Sequence, residues 1–136
     1  MRVRILAVLG IAAVTIIGCS RGDLRELGRE TEGALRDAGD ALGELVGLAE
    51  GPLRDVGERA LNVAADAREA SREFAENPTT ETRRALEAAE RRVEDVGDEL
   101  EGLVDGAPEG VRDALQRALD ALTEVRRKIE RQLDES

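Results

Sequence analysis

Few side chains in this 136-residue sequence can carry out chemistry. Histidine, tyrosine and tryptophan are absent, Cys19 is the lone cysteine, Lys128 the lone lysine and Phe74 the lone aromatic. A nucleophile activated by an imidazole is therefore impossible, and with no histidine and a single cysteine the chain lacks the usual ligand set of a transition metal. The remaining candidates are the 30 carboxylates, the serine and threonine hydroxyls and Lys128. Paired carboxylates do acid–base work only where a pocket raises the pKa of one of them. Here Asp and Glu recur beside arginines on the polar sides of helical stretches, the pattern of a solvated face. No acidic run has the spacing of a calcium loop. The expectation is a non-enzymatic protein with no cofactor and no metal. The net charge of −10 also argues against nucleic acid, whose binding rests on cations against phosphate.

Four segments in which apolar residues recur at three- and four-residue steps supply the scaffold. The first runs Leu24, Leu27, Thr31, Ala34, Ala38, Ala41, Leu45, Leu48, widened by Leu35 and Leu42. The second runs Leu53, Val56, Ala60, Val63, Ala67, Ala70, Phe74. The third is Leu86, Ala89, Val93, Val96, Leu100, Leu103, and the fourth Leu115, Ala118, Leu122, Val125, Ile129, flanked by Val111, Leu119 and Leu133. Gly51-Pro52, Asn77-Pro78 and the Asp105–Gly110 stretch separate them, with Asn77 placed as an N-cap and Pro78 in the first turn of the third helix. Short connections imply antiparallel neighbours.

A shift of 58 residues aligns Leu35–Leu61 with Val93–Leu119 without a gap, and twelve of the 27 pairs are identical, among them Leu42/Leu100, Arg59/Arg117 and Ala60/Ala118. Biased composition alone would match about one position in eight. The alignment spans a turn, so the repeated unit is a helical hairpin. The expected fold is all-α: a duplicated hairpin, 23–76 and 79–136, forming one antiparallel four-helix bundle. Its core should be thin, because alanine fills many inward positions. Intrahelical pairs such as Asp55–Arg59, Glu87–Arg91, Asp113–Arg117 and Glu124–Lys128 are expected on the surface. The glycine row Gly39, Gly43, Gly47 falls opposite the apolar stripe and reads as tolerated surface rather than a close helix contact. The basic patch Arg126, Arg127, Lys128, Arg131 reads as complementing a helix C-terminus.

The first eighteen residues differ from all of this. Arg2 and Arg4 precede an uncharged run from Ile5 to Gly18, too short for a comfortable membrane span of about 20 residues but suited to a signal-peptide core. The run ends Ile16-Ile17-Gly18-Cys19, which resembles the bacterial lipobox. The resemblance implies cleavage after Gly18 and a diacylglyceryl group on the Cys19 thiol, with the new amine commonly acylated too. Residues 1–18 would then be the signal, 19–22 a lipidated tether and 23–136 the helical domain, with 30 acidic against 18 basic residues after processing. Two or three acyl chains hold stably where one holds marginally. By the same resemblance, Ser20 after the cysteine favours the periplasmic face of the outer membrane in an organism with two membranes. Arg21, Arg25 and Arg29 follow closely enough to touch anionic headgroups.

These features point to a cell-envelope lipoprotein, bound to a membrane through lipid on Cys19, acting as a structural or protein-interaction module with an envelope protein or with itself as partner. Murein lipoproteins of the Braun type are also helical and lipid-anchored, and some end in a lysine joined to peptidoglycan; this sequence ends Leu133-Asp134-Glu135-Ser136. The alternative is an apolipoprotein-like binder whose amphipathic helices open onto lipid surfaces or apolar ligands, which thin faces without aromatics disfavour.

Overall fold

The computed structural model describes residues 10–135, with side chains from Asp23 onward. It contains four helices: α1 Gly10–Leu48, α2 Gly51–Glu76, α3 Thr80–Glu101 and α4 Glu109–Asp134. α1 packs on α2 and α4, and α3 packs on the same two, so the helices form a closed ring of antiparallel neighbours. This is the expected duplicated-hairpin bundle. The seam between α3 and α4 is the sparsest of the four.

One continuous core joins all four helices, from Leu24 at one end to Ala49, Leu53, Ala107 and Val111 at the other. Phe74, Leu42, Leu45, Leu86, Leu100, Leu115 and Ile129 are its largest fully buried members. The repeat is visible in the burial. Of the aligned pairs between 35–61 and 93–119, all but Ala41/Glu99 and Leu45/Leu103 have the same degree of exposure. The two hairpins therefore relate by an approximate twofold axis along the bundle, each burying the other's apolar face.

Three local expectations need correcting. Leu48 is half exposed and Ala49 is buried, so the seam in α1 follows Leu35, Ala38, Leu42, Leu45, Ala49. Leu48 closes the last turn of α1 and has no layer beyond it to pack on. Asn77 caps the C-terminus of α2, and Thr79 is the N-cap of α3. The Thr79 hydroxyl accepts from the Thr82 backbone N–H at 3.1 Å while the Thr82 hydroxyl accepts from that of Thr79 at 2.8 Å, a capping box that the proline one residue earlier leaves free to form. Leu103 lies in the turn after α3 rather than in the helix, partly buried against the core.

Two glycines permit close approach of α1 and α2. A Cβ at Gly28 would stand 2.6 Å from the Ala75 Cβ, and one at Gly57 would stand 3.0 Å from Val46 Cγ2. At Gly39, Gly43 and Gly47 a Cβ would meet nothing within 4 Å, in keeping with a tolerated surface row. Gly51 starts α2 at a φ of +63°, the left-handed backbone that makes the two-residue α1–α2 connection possible.

Because both hairpins share one core, Leu42→Ala and Leu100→Ala should each cost about 2–4 kcal/mol. Each should lower a single melting transition for the whole bundle. Segment-resolved hydrogen exchange checks this; protection lost only in the mutated hairpin would contradict the shared core.

Candidate interaction surfaces

The side chains of Ile16, Ile17, Gly18, Cys19 and Arg21 lie outside those described. The backbone of α1 carries through these positions, so Cys19 precedes Asp23, the first described side chain, by about one helical turn. It enters the bundle at the end that also holds the α2–α3 turn and the C-terminus of α4. That end is called proximal below, and the end with the α1–α2 and α3–α4 connections distal. Arg25 and Arg29 are exposed at the proximal end and have no ion-pair partner among the described residues.

Inside the proximal end, the core contains a polar layer. Ser71 of α2 and Gln132 of α4 are both fully buried. The Ser71 hydroxyl donates to Gln132 Oε1 at 2.9 Å, and Gln132 Nε2 donates to the Ser71 carbonyl at 3.0 Å. The pair ties together two helices at opposite corners of the ring. Thr31, also buried, turns its hydroxyl back onto the Leu27 carbonyl at 2.9 Å. Sequence reading missed Ser71 and Gln132, although the spacing marks them: Gln132 continues Val111, Leu115, Ala118, Leu122, Val125, Ile129 at alternating steps of four and three.

The ion pairs cross between helices more than they run along them. Arg59 of α2 makes a fork to Glu99 of α3 at 2.6 and 3.1 Å, and its repeat equivalent Arg117 of α4 reaches Glu44 of α1 at 2.7 Å. Equivalent arginines thus bridge the two equivalent inter-hairpin seams, in place of the expected pairs to Asp55 and Asp113. Glu87 pairs with Arg83 at 3.7 Å rather than with Arg91, and Glu124–Lys128 forms as expected at 3.7 Å. Glu32 meets Arg68 and Arg72 across α1–α2, and Glu30 meets Lys128 and Arg131 across α1–α4. The basic patch of α4 is therefore mostly committed to neighbouring helices, with Arg126 bound to Glu94 at 3.1 Å. Hydrogen bonds from Lys128, Arg68 and Arg59 hold Glu30, Glu32 and Glu99 below the ordinary carboxylate range.

Charge is distributed unevenly along the bundle. The proximal half, residues 23–35, 64–92 and 122–135, holds fifteen carboxylates against twelve cations. The distal half, 36–63 and 93–121, holds fifteen against five. From Glu94 to Glu109 there are seven carboxylates and no cation. A groove of about 510 Å³ follows this stretch along the sparse α3–α4 seam, with Val93, Leu119 and Leu122 among its apolar lining and Asp98, Glu101 and Asp120 among its acids. A second hollow, about 300 Å³, opens at the distal tip between the two connections, lined by Leu48, Pro52, Leu53, Leu103, Ala107 and Val111. Among the described residues, Leu48 at its lip is the sole large apolar side chain left exposed.

No group of three carboxylates or thiols among the described residues could hold a metal ion, and none of the described helices is long and apolar enough to cross a membrane. What the fold and surfaces define is a duplicated helical hairpin closed into a bundle with a near-balanced proximal end and an acidic distal end. Comparison with known proteins adds no family to this class, since no family model, curated protein or solved structure matches the chain.

Two outcomes follow from the buried and titrating groups. Gln132→Leu should lower unfolding free energy by about 1–3 kcal/mol, because it leaves the buried Ser71 hydroxyl without its acceptor while the Ser71 carbonyl keeps its helical hydrogen bond. Adding Ser71→Ala to that variant should recover part of the loss, and chemical denaturation of the wild type, Gln132→Leu, Ser71→Ala and the double variant measures it as a double-mutant cycle. Glu90 behaves oppositely to the bridged glutamates. Burial raises its pKa first, Glu130, Glu94 and Asp134 add to this, and Arg126 opposes it. A raised folded-state pKa gives stability that is full below the unfolded value and declines as pH rises through the folded one. Glu90→Gln should therefore raise the melting temperature at neutral pH, with the gain vanishing below the carboxylate range in a pH series of thermal melts.

Proposed function

We propose that this chain is a membrane-tethered, non-enzymatic cell-envelope lipoprotein whose bundle serves as a structural or protein-interaction module. The observation that carries the proposal is polarity: the Ile16–Cys19 motif sits at one end of the molecule, and the surplus negative charge collects at the other. Lipid on Cys19 would hold the near-balanced end against a bilayer, with Arg25 and Arg29 beside the headgroups. The acidic end would be repelled by anionic lipid and stand outward. At about 0.8 kcal/mol per buried methylene, two or three acyl chains make such a tether stable. The rigid body then acts as a spacer of roughly 38 Å for a helix of about 25 residues, presenting its distal tip to whatever lies beyond.

The apolipoprotein-like alternative is weaker, because the apolar faces that would spread on lipid are spent on one another in a closed core. Cys19→Ala should abolish incorporation of labelled palmitate and leave a slower-migrating, uncleaved precursor. Continued labelling of that variant would overturn the lipoprotein reading.

A further inference from the structure

The hollow at the distal tip exists because the repeat is broken there. It lies on the approximate twofold axis, and equivalent residues line it in pairs: Ala49 with Ala107, and Leu53 with Val111. Where the first hairpin has Leu48, the second has Gly106, and a Cβ at Gly106 would meet nothing within 4 Å. The side chain that symmetry would place opposite Leu48 is missing, so the floor of apolar residues stays open and Leu48 stands over it 52% exposed. A bundle this rich in alanine gains most from covering its few large apolar groups, and yet here one is left out beside an unfilled space.

The rim of the hollow is acidic. Glu50 lines it, Glu101, Asp105 and Glu109 adjoin its lining residues, and none of the four has an ion-pair partner among the described residues. Arg54 and Arg112 are the neighbouring cations, and a guanidinium nitrogen of Arg112 donates to the Ala107 carbonyl at 3.2 Å, which fixes the wall of the hollow. The distal half as a whole carries the fifteen carboxylates against five cations noted above. We propose that this tip is a docking site for a protein segment presenting one or two aliphatic side chains flanked by lysine or arginine. The apolar anchor would enter the hollow against Leu48, Leu53 and Leu103, and the flanking cations would meet the rim carboxylates. Charge complementarity selects this occupant over the others. A second copy of the chain would bring one acidic tip against another, and an anionic bilayer would be repelled in the same way. The volume of about 300 Å³ suits one or two side chains rather than a large ligand.

The test uses the full chain in phosphatidylcholine nanodiscs and a fluorescent peptide with two leucines flanked on each side by two lysines. Fluorescence anisotropy should show saturable binding, weakened by salt, and methyl spectra should shift at Leu48, Leu53, Leu103 and Val111. Gly106→Leu, placed in open space on ordinary backbone, should fill the hollow and weaken binding at least tenfold without changing helicity. Leu48→Glu, at an exposed helix end, should do the same by a different route. Equal binding of a peptide with glutamates in place of the lysines would overturn the proposal, as would binding that survives both substitutions. Concentration-dependent dimerisation abolished by Gly106→Leu, with no peptide binding, would assign the tip to a second copy and overturn it equally.

Discussion

A helix whose apolar face is mostly alanine removes little surface from water against any single neighbour. In α2 the inward face includes Ala60, Ala64, Ala67 and Ala70, and in α1 Ala34, Ala38 and Ala49. Two such faces packed together could not offset the entropy of ordering some fifty residues, so each helix must contact two others and share a centre with all three. The closed ring follows from this requirement. So does the close approach at Gly28 and Gly57, where a missing Cβ lets backbones draw together and makes small side chains effective. Leu42 and Leu100, repeat equivalents in the distal half, are fully buried in the one core that all four helices share, and as large side chains among alanines they remove a disproportionate share of its apolar surface from water.

Closure of thin faces leaves register weakly specified, since alanine rows slide past one another at little cost. The polar layer and the cross-helix arginines supply what the alanines do not. Ser71 and Gln132 satisfy each other only when α2 and α4 stand at one relative height. A slip by one turn would bury two unpaired polar groups, at a cost of about 1–3 kcal/mol each. Arg59 and Arg117 are too exposed to add much stability. Their place on the two equivalent inter-hairpin seams instead favours the pairing of hairpin with hairpin that the duplication created.

Periodicity made the fold legible. Spacing of apolar residues located all four helices, and the repeat at 58 residues revealed the hairpin unit, because both depend on local geometry that the chain carries along its length. Ser71 and Gln132 escaped notice because their positions follow the apolar spacing while their side chains do not, and a polar residue on such a stripe reads as an interruption unless its partner is known. Arginine partners were misassigned for a similar reason: a long flexible side chain reaches its own helix and the next one equally well, and only the packing decides between them. Leu48 was placed inside because a pattern has no knowledge of where the last layer ends. The distal hollow depends on two connections, far apart in sequence, meeting across the axis. The Ile16–Cys19 motif belongs to the other extreme, a signal written for processing and independent of the folded body.

The ring is closed by α1 and α4, the first helix and the last. Their Lys128–Glu30 bridge joins residues 98 positions apart, whereas each hairpin is made of neighbours in sequence. Loop closure over such a separation is the costliest contact to make early, so hairpins built from local contacts should assemble first and the α1–α4 seam should zip last. Until α4 is complete, α1 has one flank bare. A chain emerging N-terminus first would thus carry an unfinished apolar edge for most of its synthesis or passage, and the acidic stretch that precedes α4 would keep those unfinished chains apart by mutual repulsion.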